Sequence, residues 1–551
     1  METPCRRISE QNQDWWGKVL GRIKNPGLGI ASMLHDEVTI VAGGIALIML
    51  ARFFLILGPM GTLLMTTLLL LSVQWLLRPR NFPPGPWGLP LLGNLHQIAV
   101  DPLKIMTEYG KKYGEVYSIR IGMDNVVILC GWDAFKEAIV NKADDFRLRP
   151  SHLYIYKEYA DSRGIGFVND ATTHKLNRKF VLKTLKEFGL GKQTLEEDIA
   201  QEARYLCHQI YRHDGNPIGM MGSMLTKSSA GIILRLVFGK HYEWDDPEFK
   251  LFVGNITRGF DLMTMYGAIF NVYPWLRYIP YVKSLGQAVM DNMSDFKKLI
   301  LEKIEEHRNS RVTGQPRDLV DAFFDELEEE NGVNDVSHLL PMVADLLTAG
   351  METTATTLNW ASLYMALYPD VQRKVQDELE AAVGKGRAPT LADVPKLPFT
   401  EATIKELQRI CNVAPLAVPR MTATDVELRG YRIPKGTQVC MNLYTVHMDP
   451  KYFAVPEVFN PNRFLGDDGK VQKMEAFAPF SAGRRVCIGE QMARNELMIF
   501  FTTMMTHFTF KLPEGAPAPD TSKGKLGITL SPPDFEVLAV RRTSGDILES
   551  I

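Results

Sequence analysis

The chain runs to 551 residues yet holds only six cysteines, set far apart at 5, 130, 207, 411, 440 and 487. No CxxC pair occurs, which leaves zinc and thioredoxin-like readings without support. A chain of this length builds a core without staples, so a disulfide framework has no basis either. All six are read as thiols in a reducing compartment, one of them set apart by its surroundings. Charge of one sign is lacking too: 62 basic against 64 acidic side chains leave a formal net charge of −2. That balance removes any chain-wide electrostatic case for nucleic-acid binding. No self-similarity at solenoid periods is present. Nor is there a GxGxxG or flavin-binding stretch, so redox chemistry here must draw its electrons from outside the chain.

What is present begins with two uncharged apolar runs near the start. Residues 1–37 are mixed and polar. Val38–Ala51 is too short to span a bilayer alone, and either lies at the interface or pairs with the next run as a hairpin. Arg52 interrupts. Phe53–Leu77 then continues without a charge and would span about 37 Å as a helix, enough for a hydrocarbon core of about 30 Å. Charge does not set its orientation, because Arg52 flanks one side and Arg78 and Arg80 the other. The proline-rich Phe82–Pro90 that follows cannot be helical and reads as a stiff extended connector. The expected organisation is a polar segment over 1–37, a membrane anchor over 38–80 and a catalytic domain over 81–551.

Within that domain, alternation predicts strands over Val116–Ile121 and Val126–Cys130 around a four-residue turn, Gly122–Asn125. The pattern is then largely helical to about residue 410, and short strands return from Tyr431 onward. Leu339, Leu340, Val343, Leu346 and Leu347 recur at helical spacing in one long element over roughly 336–368, closed by Pro369. At about 50 Å it would cross the whole domain. The fold class is mainly α with small β-sheets.

The sharpest chemical signal is Phe480-Ser481-Ala482-Gly483-Arg484-Arg485-Val486-Cys487-Ile488-Gly489, followed by a helical pattern from Glu490. A thiolate ligand must be anionic, screened from water and held on a tight turn. The N-terminus of a following helix lowers the pKa of Cys487. Gly483 and Gly489 let backbone approach a flat ligand, and Arg485 can pair an anionic group on it. The other five cysteines are read as small hydrophobes.

This stretch resembles the haem-binding signature of cytochromes P450, F-x-x-G-x-R-x-C-x-G, at all five fixed positions: Phe480, Gly483, Arg485, Cys487 and Gly489. Glu406-Leu407-Gln408-Arg409 resembles the family's E-x-x-R pair, whose charges share a helix face, and Pro461-Asn462-Arg463-Phe464 its downstream arginine element. Alone, the Glu406–Arg409 pair would read as a surface salt bridge. Ala349-Gly350-Met351-Glu352-Thr353-Thr354 resembles the A-G-x-D/E-T-T oxygen-activation motif. Phe146–Pro150, Arg178–Gly189, Tyr273–Pro280 and Gly430–Gly436 look most like family 2 of the animal microsomal members. One departure is His174, where the family usually has tryptophan; it either bonds a propionate or faces solvent.

The resemblance implies a P450 fold and haem b with Cys487 as axial metal ligand. The thiolate would push electron density to the iron and favour O–O cleavage. Arg149, Arg178, Arg420 and Arg485 would hold the propionates, and Glu406, Arg409 and Arg463 a buried triad. A mid-helix threonine can bond its own i−4 carbonyl, so Thr353 is the candidate to position dioxygen and its waters, with Glu352 relaying protons. The pocket would take in Ala349, Leu416, Ala417, Val418, Ile528 and Thr529, and an apolar pocket suits a small lipophilic substrate partitioning from the bilayer. Tyr273–Pro280 either dips into the membrane or packs on the domain. Electrons would come from NADPH through NADPH–cytochrome P450 reductase at the endoplasmic reticulum membrane, the catalytic domain being cytosolic, with cytochrome b5 a further candidate partner. Lys175, Arg178, Lys179, Lys183 and Lys186 either dock the reductase or form a solvated helix face. The leading activity is monooxygenation. The alternatives are a P450-fold isomerase or dehydratase acting on a peroxide without reductase, and a haem carrier or sensor. The Glu352–Thr353 pair argues against both.

Overall fold

The computed structural model describes residues 58–73, 78–188, 193–328, 336–384, 387 and 389–542. Residues 58–73 are helical, with Met60, Leu63, Leu64, Leu68 and Leu69 exposed. Among the described residues no helix is long and apolar enough to cross a membrane. The polar segment over 1–37 and the anchor positions 38–57 and 74–77 lie outside the described residues.

The chain divides into two compact units. The first runs through Cys130 and adds Ala134–His152 and Val418–Met441. Its helix α1 (Pro102–Tyr113) starts where Asp101 accepts a hydrogen bond from the Lys104 N–H at 3.1 Å, with proline at the first helical position, an N-terminus that needs no donor from that residue. Its main sheet pairs β1 (Val116–Ile121) with β2 (Asp124–Cys130) antiparallel. The ladder closes at Ile121↔Asp124, so the turn is Gly122–Met123 rather than four residues. Gly122 has a φ of 63°, the positive value that tight hairpins require. β3 (Arg420–Met421), the hairpin β4 (Val426–Leu428) and β5 (Tyr431–Ile433), and β6 (Gln438–Asn442) follow. The four-stranded order is β1-β2-β6-β3. Strands thus return at Arg420, before Tyr431, because two-residue β3 is too short for alternation to register. The proline-rich connector lies along β1: the Ser118 N–H donates to the Pro84 carbonyl at 2.7 Å, and Ser118 Oγ donates to the Pro83 carbonyl at 2.7 Å.

The second unit comprises Gly131–Asp133, Leu153–Ala417 and the chain from Asn442 on. Its principal helices are α2 (Ala171–Glu187), α3 (Gln193–Tyr211), α4 (Met221–Phe238), α5 (Pro247–Leu262), α6 (Pro280–Ser310), α7 (Leu319–Leu327), α8 (Leu339–Leu367), α9 (Pro369–Val383), α10 (Pro398–Cys411) and α11 (Glu490–His507). The architecture is mainly helical with small sheets.

α8 is the long element expected from the leucine spacing, preceded by a 3₁₀ turn at Val336–His338. It carries two charges, Asp345 and Glu352, and is apolar on nearly every face, the pattern of a helix buried all round. It packs against α4, α6, α10 and α11. Gly350 permits close approach to α4: a Cβ there would lie 3.0 Å from Ile233 Cγ1. Tyr368 leaves helical geometry at φ −122°, ψ 70°, as a residue before proline must. Trp360 fastens the far end by donating to the Leu530 carbonyl at 2.8 Å.

Candidate functional site

The thiol turn is built from short-range constraints. Ser481 and Gly483 have φ of 61° and 72°, a 3₁₀ turn spans Gly483–Arg485, and the Cys487 N–H donates to the Phe480 carbonyl at 3.0 Å. Phe480 is covered by the Arg494 guanidinium at 5.2 Å. Gly489 caps α11 at φ −89°, a value open to any residue. A Cβ there meets nothing within 4 Å, so what glycine preserves is open space beside the thiol.

Cys487 is exposed by surface area, whereas Cys130, Cys207, Cys411 and Cys440 are buried, and all five are free thiols. Protein atoms nonetheless crowd the Cys487 sulfur: burial pushes its pKa up, the Gly489 N–H and Arg178 pull it down, and Glu490 adds to the rise. The Gly489 N–H thus acts downward as expected of the helix N-terminus, and burial acts against it. A soft sulfur donor, nearby guanidinium groups and open space at Gly489 fit a flat, anionic, metal-bearing group.

Arg178 of α2 donates to the Val486 carbonyl at 2.8 Å. Burial lowers its pKa and Cys487 raises it. His174 lies half-buried one turn earlier on α2. Arg485 is buried and donates to the Ile165 carbonyl at 3.0 Å and to the Val168 carbonyl. Asp345 of α8 grips the same segment, accepting from the N–H groups of Ile165 and Gly166 at 2.9 and 2.8 Å. Arg149 and Arg420 belong to the first unit. Arg149 donates to the carbonyls of Val418 and Pro419 at 2.8 and 2.9 Å, and Arg420 is buried on β3 opposite Val439. Of the basic stretch on α2, Lys183 pairs with Glu326 at 2.9 Å.

Glu406, Arg409 and Arg463 converge in the second unit. Glu406 accepts from Arg409 Nε at 2.7 Å and Nη2 at 2.8 Å, from Arg463 Nε at 3.0 Å and from the Asn460 N–H at 2.9 Å. The Glu406 and Arg409 side chains are 0% exposed and that of Arg463 8%, so the surface-pair reading fails. Arg409 also donates to the His447 carbonyl at 2.9 Å. Burial and the neighbouring Arg409 charge push the His447 imidazole down to about 3.

On α8, Thr353 Oγ1 donates to the Ala349 carbonyl at 2.9 Å, the i−4 bond expected of it, and the helix continues through this point. Glu352 accepts from Thr356 Oγ1 at 3.3 Å. Burial raises its carboxyl, Thr356 acts downward and Asp261 upward. Ala349 is exposed although Leu346, Leu347 and Met351 are buried, so α8 opens to accessible space at this residue. Ile528 is exposed, Thr529 is buried, and Leu416 and Ala417 are half-buried. The Leu530 N–H donates to the Val413 carbonyl at 2.9 Å, which brings the Ile528–Thr529 turn to the Val413–Ala417 segment. Ala417 holds a left-handed φ of 47°, strain of the kind that collects at binding sites. Val418 lies exposed in the first unit.

Sequence reasoning passed over Glu496. It sits in α11, 3% exposed, hydrogen-bonded to Thr354, and burial pushes its carboxyl up to about 8 while the Thr354 bond acts downward. Its signal was an acid beside the buried Leu497 and Ile499 in an apolar helical pattern. Between the ordinary value of 4.5 and about 8, the folded chain keeps a proton that the unfolded chain has lost. Stability therefore falls as pH rises through that window. Glu496→Gln is expected to flatten the dependence and raise the melting temperature most near pH 8, read from thermal melts between pH 5 and 8. An unchanged slope would mean that Glu496 is not held protonated.

A family model described as Cytochrome P450 matches residues 83–539. The chain belongs to the cytochrome P450 family. It is 36% identical to human cytochrome P450 2U1, over 88% of this chain and 94% of the relative. To human cytochrome P450 2J2 it is 36% identical over 89% and 98%, and to cytochrome P450 2D14 of Bos taurus 38% over 88% and 98%. This P450 is a monooxygenase with haem b as its prosthetic group, its electrons coming from NADPH through a reductase.

Proposed function

We propose that this P450 is a membrane-anchored enzyme of the endoplasmic reticulum that inserts one atom of dioxygen into a small lipophilic molecule, served by NADPH–cytochrome P450 reductase, with cytochrome b5 as a second candidate partner. The observation that carries this reading is the acid–hydroxyl step on α8. Thr353 is fixed by its bond to the Ala349 carbonyl, and the neighbouring Glu352 has its carboxyl raised by burial, which suits a proton donor near neutral pH. An isomerase or dehydratase acting on a peroxide has no use for such a relay. The exposed leucines of the helix at 58–73 support the anchor.

Bound haem b supplies the one-electron and dioxygen chemistry. The chain supplies the rest. Cys487 is the proposed metal ligand, and Phe480, Gly483 and Gly489 shape its turn. Arg178, Arg485, Arg149 and Arg420 are the proposed propionate partners. Glu406, Arg409 and Arg463 brace the core. Thr353 holds water and Glu352 passes protons to it. Ala349, Leu416, Ala417, Val418, Ile528 and Thr529 present the largely apolar surface against which a substrate lies.

Thr353→Ala is expected to keep its haem content and carbon monoxide spectrum while product per NADPH falls about tenfold or more, the lower end of general acid–base contributions, and hydrogen peroxide rises to match. Product, peroxide and NADPH counted together in the reconstituted system check this. Unchanged coupling with an authentic substrate would remove Thr353 from the reading. No NADPH consumption by the parent in the presence of reductase would favour the isomerase instead.

A further inference from the structure

The junction of α6 and α7 gathers three buried side chains with metal-binding atoms, His307, Asp318 and Asp321. His307 lies in the last turn of α6, Asp318 caps the start of α7, and Asp321 lies in its first turn. None of them belongs to the thiol turn, the acid–hydroxyl step or the proposed substrate surface. One imidazole nitrogen and one oxygen from each carboxylate lie within 4.8 Å of one another. His307 Nε2 faces Asp318 Oδ2 at 2.9 Å.

The imidazole is oriented as a metal ligand is. His307 Nδ1 lies 2.7 Å from the Lys303 carbonyl, and a carbonyl only accepts, so Nδ1 carries a hydrogen. Nε2 is then the nitrogen that can hold a metal, the tautomer that a backbone carbonyl commonly sets at such sites. Asp318 is fixed by Oδ1, which accepts from the Asp321 N–H at 3.0 Å. Beside Asp318 Oδ2 there is room because residue 239 is glycine: a Cβ there would lie 2.9 Å from that oxygen. The connecting loop is held independently, with Arg311 donating to Asp325 Oδ1 at 2.7 Å and the Gly314 N–H to Asp325 Oδ2 at 3.2 Å. Arg317 covers Asp321, donating from Nη2 to Oδ1 at 3.1 Å and from Nε to Oδ2. Its side chain is 49% exposed, so it can withdraw into solvent without opening the core.

We propose that His307, Asp318 and Asp321 bind one divalent cation of the zinc class, with water in the remaining position, and so fasten α6 to α7. An imidazole nitrogen beside two carboxylate oxygens suits zinc, whereas calcium and magnesium take oxygen alone. Two carboxylates and a neutral imidazole cancel the charge of the ion, as a buried site requires. Tetrahedral ligands at zinc lie about 3.4 Å apart, given bonds of about 2.0–2.2 Å. The Asp321 carboxylate therefore swings away from Arg317 to close the set, and any proton shared between Nε2 and Asp318 leaves to water.

The test uses the full chain with haem, dialysed against a chelator and then titrated with zinc chloride in competition with a chromophoric chelator. The parent is expected to take up one tight equivalent. His307→Gln should weaken that equivalent at least about a hundredfold, the upper end of what changes outside the ligand set cost. Its carbon monoxide spectrum should match the parent's, showing the fold intact. Arg317→Gln removes the competing cation and should tighten binding about tenfold, an outcome that a purely structural ion pair does not give. Zinc-edge X-ray absorption on the loaded parent should show nitrogen and oxygen at about 2.0–2.2 Å with imidazole back-scattering. No tight equivalent in the parent, equal affinity in His307→Gln, weaker affinity in Arg317→Gln, or a sulfur shell at about 2.3 Å would each overturn the proposal.

Discussion

Glu406→Ala is expected to yield almost no haem-loaded protein. Its carboxylate receives four hydrogen bonds, three from two arginines and one from the Asn460 N–H, in a region closed to solvent. Removing it leaves two guanidinium groups facing each other without their counter-charge. Breaking a buried pair by deleting one partner costs roughly 3–5 kcal/mol, and two stranded cations place the loss at the upper end. Total stability of a folded domain is only about 5–15 kcal/mol, so the variant sits near unfolding at physiological temperature. The damage is also local. Arg409 reaches the His447 carbonyl, and Arg463 reaches the carbonyls of Ala454 and Val458 at 2.9 and 2.8 Å. The chain leading to the thiol turn therefore loses its footing first. Glu406→Gln keeps the shape without the charge and should fall between parent and alanine. Haem per protein and the melting temperature measure both variants, and normal haem content in Glu406→Ala would sink the argument.

Cys487→Ala is expected to abolish the strongly red-shifted Soret band that the reduced parent shows with carbon monoxide. No other described cysteine can stand in. Cys130, Cys207, Cys411 and Cys440 are all buried, and of the described cysteines Cys487 alone is exposed; burial pushes the Cys440 thiol up to about 12 and raises those of Cys207 and Cys411. Cys207→Ala should accordingly leave the band untouched. A parent with an imidazole-type spectrum, or a band that survives in Cys487→Ala, would refute the assignment of the ligand.

Where several sequence signals agreed, the chain was legible. α8 announced itself by leucine spacing, by its shortage of charge and by Pro369, and its observed limits lie within a few residues of expectation. The triad could be named because two short motifs carried its members, but only the fold could show Glu406 sealed from water. The misses share a physical cause: each depends on neighbours remote in sequence. The hairpin turn shortened because cross-strand pairing, which local alternation does not encode, runs to Ile121↔Asp124. Gly350 stood in the sequence only as a letter of the oxygen-activation motif, and its visible work is to admit Ile233. At Cys487 the helix-end bond is a local effect and legible, whereas the opposing desolvation is set by everything packed around the sulfur. Glu496 was invisible for the same reason: a charged letter in a helix looks solvated until its surroundings are known.

Residues 165–168 are gripped from two sides, by Arg485 of the thiol turn and by Asp345 of α8. Asp345 lies one helical turn before Ala349. The thiol turn and the acid–hydroxyl step thus take their position from one shared datum, like two parts gauged from the same face. Drift of that segment carries both together, so their mutual alignment tolerates insertions and breathing elsewhere in the unit. A site whose supporting shell is fixed in this way keeps its geometry, and the feature most exposed to evolutionary wear is the datum itself.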